Sequence, residues 1–361
     1  MTSRFLFVYQ TLAAGGVEAV IRDRMEILLA DGHEVFALFL KDRGGLSLFQ
    51  PFMDRVRLFD DTESAIQYIS ELQPDWVFHF DTPDLVSGIA KSSPRSRQVY
   101  EVHTTLPHNL KRLSRTGIKK QVEAIVVPSQ AQRNLVQSTI GTDLPILIVP
   151  NGLPDTFYQK ISMASKSGSP IVLWIGRLEA HKNWRTYLKI SAMTAVKPVN
   201  AQFWLIGGRH ALPEQHLMLW SQLKSLNLVS NFRWFPEIPR ARLPGVMQMA
   251  ARSGGCLVST SQGESFGMVV LEAMASGCPV VVPGLDALLE LVHHGQEGFI
   301  YPRGDWRSAA DYLTKLLTDP VLQLQMGGAA QKRSLSFTAR ASVDCLLGQI
   351  AELERGQSAE E

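Results

Sequence analysis

Cysteine is scarce. Three occur in 361 residues, Cys256, Cys278 and Cys345, with no C-x-x-C spacing and no histidine cluster beside them, which excludes a disulfide scaffold and a structural zinc as organising features. An excess of one charge is also missing. Lys plus Arg number 36 against 34 Asp plus Glu, a formal net charge of +2, far from the balance of a nucleic-acid coat. No nucleic-acid partner is expected, and an anionic partner would have to be met locally. No uncharged apolar run approaches the ~18 residues of a membrane span. The opening MTSRFLFVYQTLAAGG holds a five-residue apolar run, too short for a signal peptide. A cytoplasmic protein is therefore expected. No Asp-x-Asp triplet occurs either, so that common carboxylate clamp for a divalent metal is absent, and neither a metal nor another cofactor is expected.

What remains is an ordinary globular composition, 45% hydrophobic and 19% charged, in a chain whose length favours two domains at roughly 100–200 residues each. Residues 4–9 form an apolar run that ends in AAGG, after which VEAVIRDRMEILLADGHEV repeats apolar residues at helical spacing. Further strands are predicted at 34–40, 75–80, 97–103, 124–129 and 145–150. The same grammar restarts at 170–176, 201–208, 231–236, 255–260, 278–283 and 298–302, with helices near 184–195 and 213–226. Near-continuous apolar strands alternating with helices predict parallel sheets covered on both faces. The polar stretch 159–170, QKISMASKSGSP, has the composition of a linker. The expected fold is thus α/β, with two doubly wound Rossmann-like domains facing each other across a cleft. Residues 1–158 form the first of these domains and 170–335 the second. Residues 336–361 form a C-terminal helix that packs back toward the first domain, helical to about Glu354 and then polar.

The segment GESFGMVVLEAMASGCPVVVP, residues 263–283, carries the most chemistry. Glu264 precedes a helix expected to begin near Phe266, and Glu272 lies inside it. The amides of Phe266, Gly267 and Met268 at that helix start suit phosphate oxygens, and the helix dipole favours an anion there. One to two turns on, the Glu272 carboxylate is placed to accept both hydroxyls of a ribose. In IGRLEAHKN, residues 175–183, Arg177 and Lys182 leave the carboxyl edge of a strand, where an Arg fork and a Lys point charge suit a leaving diphosphate. Gly15 and Gly16 join the first strand to the first helix, a turn that in itself only permits positive φ and close packing.

These strings, with EVHTT at 101–105, VPS at 127–129, VPNGL at 149–153 and WLIGG, resemble the retaining glycosyltransferases of family 4, which have the GT-B fold. The resemblance spans nearly the whole chain, and Glu264-x7-Glu272 is its most specific part. It implies that Glu264 approaches the donor sugar, that Glu272 binds the nucleotide ribose, and that Arg177 and Lys182 neutralise the diphosphate. It further implies that Gly15 and Gly16 face the diphosphate and acceptor, and that His103 matches the family's histidine at the end of a first-domain strand. Catalytic roles would then fall on Glu264, His103, Arg177 and Lys182. The implied donor is a nucleotide-diphosphate sugar, UDP or GDP ranking ahead of ADP, and the implied acceptor a glycan or a lipid-linked molecule. Two departures stand out: PGLDALLELV places Asp286, Ala287 and Leu289 where the family often has two glycines and a proline, and Pro236 stands where a glycine is common.

A last feature is LPHNLKRLSRTGIKKQVEA, residues 106–124, where Leu110, Leu113, Ile118 and Val122 interleave Lys111, Arg112, Arg115, Lys119 and Lys120. Such a segment either contacts an anionic membrane, placing the protein at its inner face, or receives a phosphorylated acceptor, or is a solvated helix face. Alternatives to a transferase are a sugar-nucleotide epimerase, a glycogen-type phosphorylase and a catalytically silent nucleotide-sugar binder.

Overall fold

The computed structural model describes residues 2–115, 117–161 and 168–358, with the backbone alone for Arg112, Ser114, Arg115 and residues 356–358. Two compact units result: one runs to Pro154 and resumes at Phe337, the other is Asp155–Ser336.

The first unit is built on strands β1 (Arg4–Leu12), β2 (Glu34–Asp42), β3 (Val56–Leu58), β4 (Trp76–Phe80), β5 (Arg97–Glu101), β6 (Ala124–Val127) and β7 (Ile146–Ile148). They form one sheet in the order β3-β2-β1-β4-β5-β6-β7, parallel throughout. The second unit has β8 (Ile171–Ile175), β9 (Gln202–Ile206), β10 (Phe232–Phe235), β11 (Cys256–Val258), β12 (Val280–Pro283) and β13 (Gly298–Tyr301). Its sheet, in the order β10-β9-β8-β11-β12-β13, is also parallel. Both orders are those of a doubly wound sheet, reversing direction at β1/β4 and at β8/β11. The apolar runs explain the pairing: β4 (WVFHF) and β12 (VVVP) are buried along their whole length, as strands covered on both faces must be. Only β3 escapes the sequence reading, because three residues at a sheet edge make no recognisable run.

The boundary lies elsewhere than the sequence suggests. The described start of the stretch 159–170 is tied down: Gln248 Nε2 donates to Gln159 O at 2.6 Å, Ile161 N to Gln248 Oε1 at 3.0 Å, and Arg252 Nη2 to Ile161 O at 2.9 Å. These bonds join it to the Leu243–Arg252 helix, so the polar composition reflects a surface strap within the second unit. Residues 162–167 of that stretch lie outside the described residues, as do residues 359–361 of the polar tail. On return to the first unit the chain pairs with its own exit: Leu153 N donates to Phe337 O at 2.9 Å and Ala339 N to Leu153 O at 2.7 Å. The Ala339–Ser358 helix continues past Glu354. It packs on the Gly16–Ala30 helix, with Arg340 Nη1 on Asp31 Oδ1 at 2.8 Å and the Trp76 indole donating to Glu354 at 3.3 Å. Among the described residues no helix is long and apolar enough to cross a membrane.

His79 sits in the middle of β4, fully buried, its Nε2 sharing a hydrogen bond with Gln98 Oε1 at 2.8 Å. Burial pushes its pKa down to about 4, so the folded protein binds fewer protons than the unfolded chain between that value and about 6.5. The stabilisation is fully present above the unfolded pKa and is lost as pH falls. Lowering the pH from 7 to 5 should therefore cost about 2 kcal/mol of unfolding free energy. A His79→Gln variant should not show that loss, as measured by urea titration at the two pH values.

Candidate functional site

Within the second unit, the loops that follow β8 and β11 diverge at the point where strand order reverses, the place where open α/β sheets bind ligands. Buried Thr260 stitches the two loops together. Its hydroxyl accepts from Trp174 Nε1 at 2.9 Å and stands 3.0 Å from both the Lys182 and Asn183 carbonyls. Gln262 N donates to His181 O at 2.9 Å. The result brings together two residues far apart in sequence: Lys182 Nζ donates to Glu264 Oε1 at 2.7 Å, with side chains 22% and 16% exposed. The pair is shielded enough to be ordered and open enough to exchange partners. Gly176 makes room for it, since a Cβ there would lie 3.0 Å from the Trp174 ring and 3.4 Å from Lys182 Cγ. Arg177 is not drawn in. It is 75% exposed and pairs with Glu179 at 3.2 Å.

The helix after β11 is Met268–Ala275, not a helix beginning at Phe266. Gly267 precedes it at φ +104, a left-handed conformation that stops the helix from extending further back. A Cβ on Gly267 would stand 2.4 Å from Leu288 Cδ2. Val270 and Leu271 both donate to Gly267 O at 3.0 Å, whereas the amides of Met268 and Val269 find no backbone acceptor among the described residues. The first two amides of the helix are those of Met268 and Val269, and the Phe266 side chain is buried ahead of the turn. Asp286, Ala287 and Leu289 belong to the short Asp286–Leu291 helix.

Glu272, only 3% exposed, meets a residue that the sequence does not point to. Arg240 Nη1 donates to Glu272 Oε1 at 2.6 Å, and the Arg240 guanidinium lies 5.3 Å from the centre of the Phe157 ring. Arg240 comes from the Arg240–Arg242 turn after β10, where in the string PEIPRARLP it reads as a solvated loop cation.

In the first unit, Gly15 caps the Gly16–Ala30 helix at φ −110 and ψ −178, extended backbone open to any residue. The constraint on it is steric: Glu18 turns back to accept from Ala13 N at 2.8 Å, and a Cβ on Gly15 would stand 2.6 Å from Glu18 Oε2. Gly15 and Gly16 are both exposed. His103 follows β5, its Nε2 lying 3.2 Å from Glu101 Oε2, while Glu101 Oε1 accepts from Arg24 Nη1 at 2.6 Å. Asp81, after β4, accepts from the amides of His103 at 3.1 Å and Thr104 at 3.4 Å. Burial raises the Asp81 pKa above its ordinary value, partly offset by His103. Burial raises the pKa of all three cysteine thiols, that of Cys278 to about 12.

The basic segment is more inward-facing than its sequence suggests. Leu110, Leu113, Ile118 and Val122 are buried in the core beside Val127 and Val136, so none is available for insertion into a membrane. Lys119 Nζ donates to the carbonyls of Ile140 at 2.8 Å and Gly141 at 2.6 Å, closing the end of the Gln130–Ile140 helix, where a cation also meets the negative end of the dipole. Lys111 and Lys120 are exposed. The side chains of Arg112 and Arg115 lie outside the described residues.

A test of the helix start follows from Gly267. Gly267→Ala should destabilise the protein by ~2–3 kcal/mol, combining left-handed strain with the Leu288 overlap. Gly304→Ala, at φ +83 with open space around it, should cost about 1 kcal/mol. Urea unfolding of the two variants compares them.

Two family descriptions divide the chain between them: "Glycosyltransferase Family 4" matches residues 14–157 and "Glycosyl transferases group 1" matches residues 158–333. An uncharacterised glycosyltransferase of Haemophilus influenzae is 24% identical over 353 residues, covering 92% of this chain and 95% of that protein. The D-inositol 3-phosphate glycosyltransferase of Corynebacterium diphtheriae is 29% identical over 195 residues, 52% of this chain and 44% of that protein. Among solved structures, HepE of Anabaena in complex with UDP and glucose superimposes with a TM-score of 0.83 at 20% identity, over 97% of this chain and 100% of that one. The doubly wound units and the two matches that together run from residue 14 to residue 333 lead to one conclusion: the chain belongs to the family 4 glycosyltransferases, enzymes of the GT-B fold.

Proposed function

We propose that the chain transfers a sugar from a nucleotide-diphosphate donor to a hydroxyl acceptor with retention of configuration and without a metal ion. The observation that carries this reading is the Lys182–Glu264 pair at 2.7 Å beside the start of the Met268–Ala275 helix. Cleaving the anomeric bond needs the departing diphosphate stabilised and the oxocarbenium-like centre shielded from water. Lys182, Arg177 and the amides of Met268 and Val269 supply positive potential for the diphosphate, which is the service a metal would otherwise render. When the donor enters, Lys182 exchanges Glu264 for phosphate oxygens, and the released carboxylate faces the sugar. Glu272, steadied by Arg240, accepts from the ribose hydroxyls. Retention is supported by the family, and front-face attack assisted by the leaving phosphate is the route that would give it. UDP and GDP rank ahead of ADP, and HepE, similar in fold, is a UDP complex. The acceptor is a glycan or a lipid-linked molecule. If it is lipid-linked, contact with an anionic surface is purely electrostatic, through Lys111 and Lys120.

Thermal melting with UDP, GDP, ADP and their sugars should give an upward shift for one nucleotide class, because a ligand that binds only the folded form stabilises it. Lys182→Ala should lower turnover at least ~10-fold while the melting temperature of the unliganded protein changes little. Activity should survive EDTA, and loss that magnesium or manganese restores would refute the metal-free reading. Vesicles containing anionic lipid should co-sediment with the protein at low salt and release it as salt rises. Replacing Lys111 and Lys120 by Gln should abolish that binding, and equal binding by the double variant would remove the membrane from the proposal.

A further inference from the structure

Beside His103 the first unit buries two opposite charges that its core does not need. Arg24, on the Gly16–Ala30 helix, is 2% exposed and Glu101, at the end of β5, is fully buried. Arg24 Nε and Nη2 have no hydrogen-bond partner, so the arginine's own hydrogen bonding does not explain its burial, which is costly. What it does make is the bond to Glu101.

We propose that Glu101, clamped by Arg24, is a positioning residue that holds His103 as the Nε2–H tautomer, so that Nδ1 is the atom offered to substrate as a hydrogen-bond acceptor. The step deepens the transferase reading above and rests on it for the identity of the substrate. Glu101 uses its two oxygens separately, Oε1 for Arg24 at 2.6 Å and Oε2 for His103 Nε2 at 3.2 Å. An ionised carboxylate only accepts, so the hydrogen between them belongs to Nε2. Burial opposes the charge on Glu101, but Arg24 and His103 outweigh it and hold the carboxyl below its ordinary range. The plane of the imidazole is set by Phe80, stacked on it at 5.3 Å and 16°, with the Arg24 guanidinium 5.8 Å from the centre of the same ring. The His103 backbone is pinned by its amide on Asp81 Oδ1 at 3.1 Å. Nδ1 has no protein partner among the described residues. A neutral imidazole protonated on Nε2 presents a lone pair at Nδ1, and its complement is a hydroxyl donor, the group a sugar carries.

Long-range 1H–15N spectra of the full chain, labelled at histidine and recorded at about pH 9 where histidine is neutral, report which ring nitrogen carries hydrogen. The expected result is Nε2–H for His103 in the wild type, which requires no variant to fold. In Glu101→Gln, whose amide can donate to Nε2, the Nδ1–H form should gain population and kcat should fall at least ~10-fold, with donor KM little changed. A wild-type Nδ1–H tautomer, or an unchanged tautomer and kcat in Glu101→Gln, overturns the proposal. Asn places its amide near the position of Nδ1 and Gln near that of Nε2, so His103→Asn should retain more turnover than His103→Gln, and the reverse order also overturns it. Wild-type turnover in both His103 variants would instead refute contact between His103 and substrate, while the tautomer spectra still test Glu101 on their own.

Discussion

Parallel pairing is the constraint on which the rest depends. A parallel strand is joined to the next by a crossover, and right-handed crossovers deliver every loop that follows a strand to the same carboxyl edge of the sheet. Where the order reverses, at β1/β4 and β8/β11, successive crossovers leave toward opposite faces and their loops part. The candidate site residues collect along these edges. Lys182 and Glu264 follow β8 and β11, Asp81 follows β4, and Glu101 and His103 stand at the end of β5. Loops with different sequences and helices of different length can be exchanged there without touching the pairing below, so the scaffold and the site are largely separable.

The ion pairs form a graded series whose burial tells what each is for. Arg177 with Glu179 is exposed, and such a pair contributes little to stability. Lys182 with Glu264 is half-sheltered, a state in which either partner can be traded for a ligand at modest cost. Arg240 with Glu272 and Arg24 with Glu101 are progressively more buried. Burying charges costs desolvation that mutual attraction only partly offsets, and apolar residues of similar volume would stabilise the fold as well or better. The two buried pairs are therefore poor explanations of stability and good explanations of orientation. Each holds one carboxylate, Glu272 or Glu101, at a fixed angle at the edge where the loops open.

The segment 106–124 shows what the third dimension adds to composition. Cations interleaved with leucine, isoleucine and valine have the pattern of a surface-seeking helix. In the fold the apolar residues fill the core beside β6 and Lys119 caps a neighbouring helix. The alternation is real, but it records one face turned to the core and one to water, as any amphipathic element on a sheet does.

The sequence by itself determined the alternation of strands and helices, the parallel character of both sheets, the duplication of the pattern and the spacing of Glu264 and Glu272 about one helix start. These are local properties: an apolar run, a helical period and a glycine that ends a strand act over a few residues and survive being read one segment at a time. The tertiary structure decided the partners. It set Lys182 on Glu264 across 82 positions, Arg24 on Glu101 across 77 and Arg240 on Glu272 across 32. It left Arg177 in solvent, moved the helix start past Phe266, and shifted the unit boundary to Pro154. The reason is that a charged side chain carries no local signature of its partner. Its environment is set by which loops the strand order brings to one edge, and that order is fixed only when the whole sheet has formed.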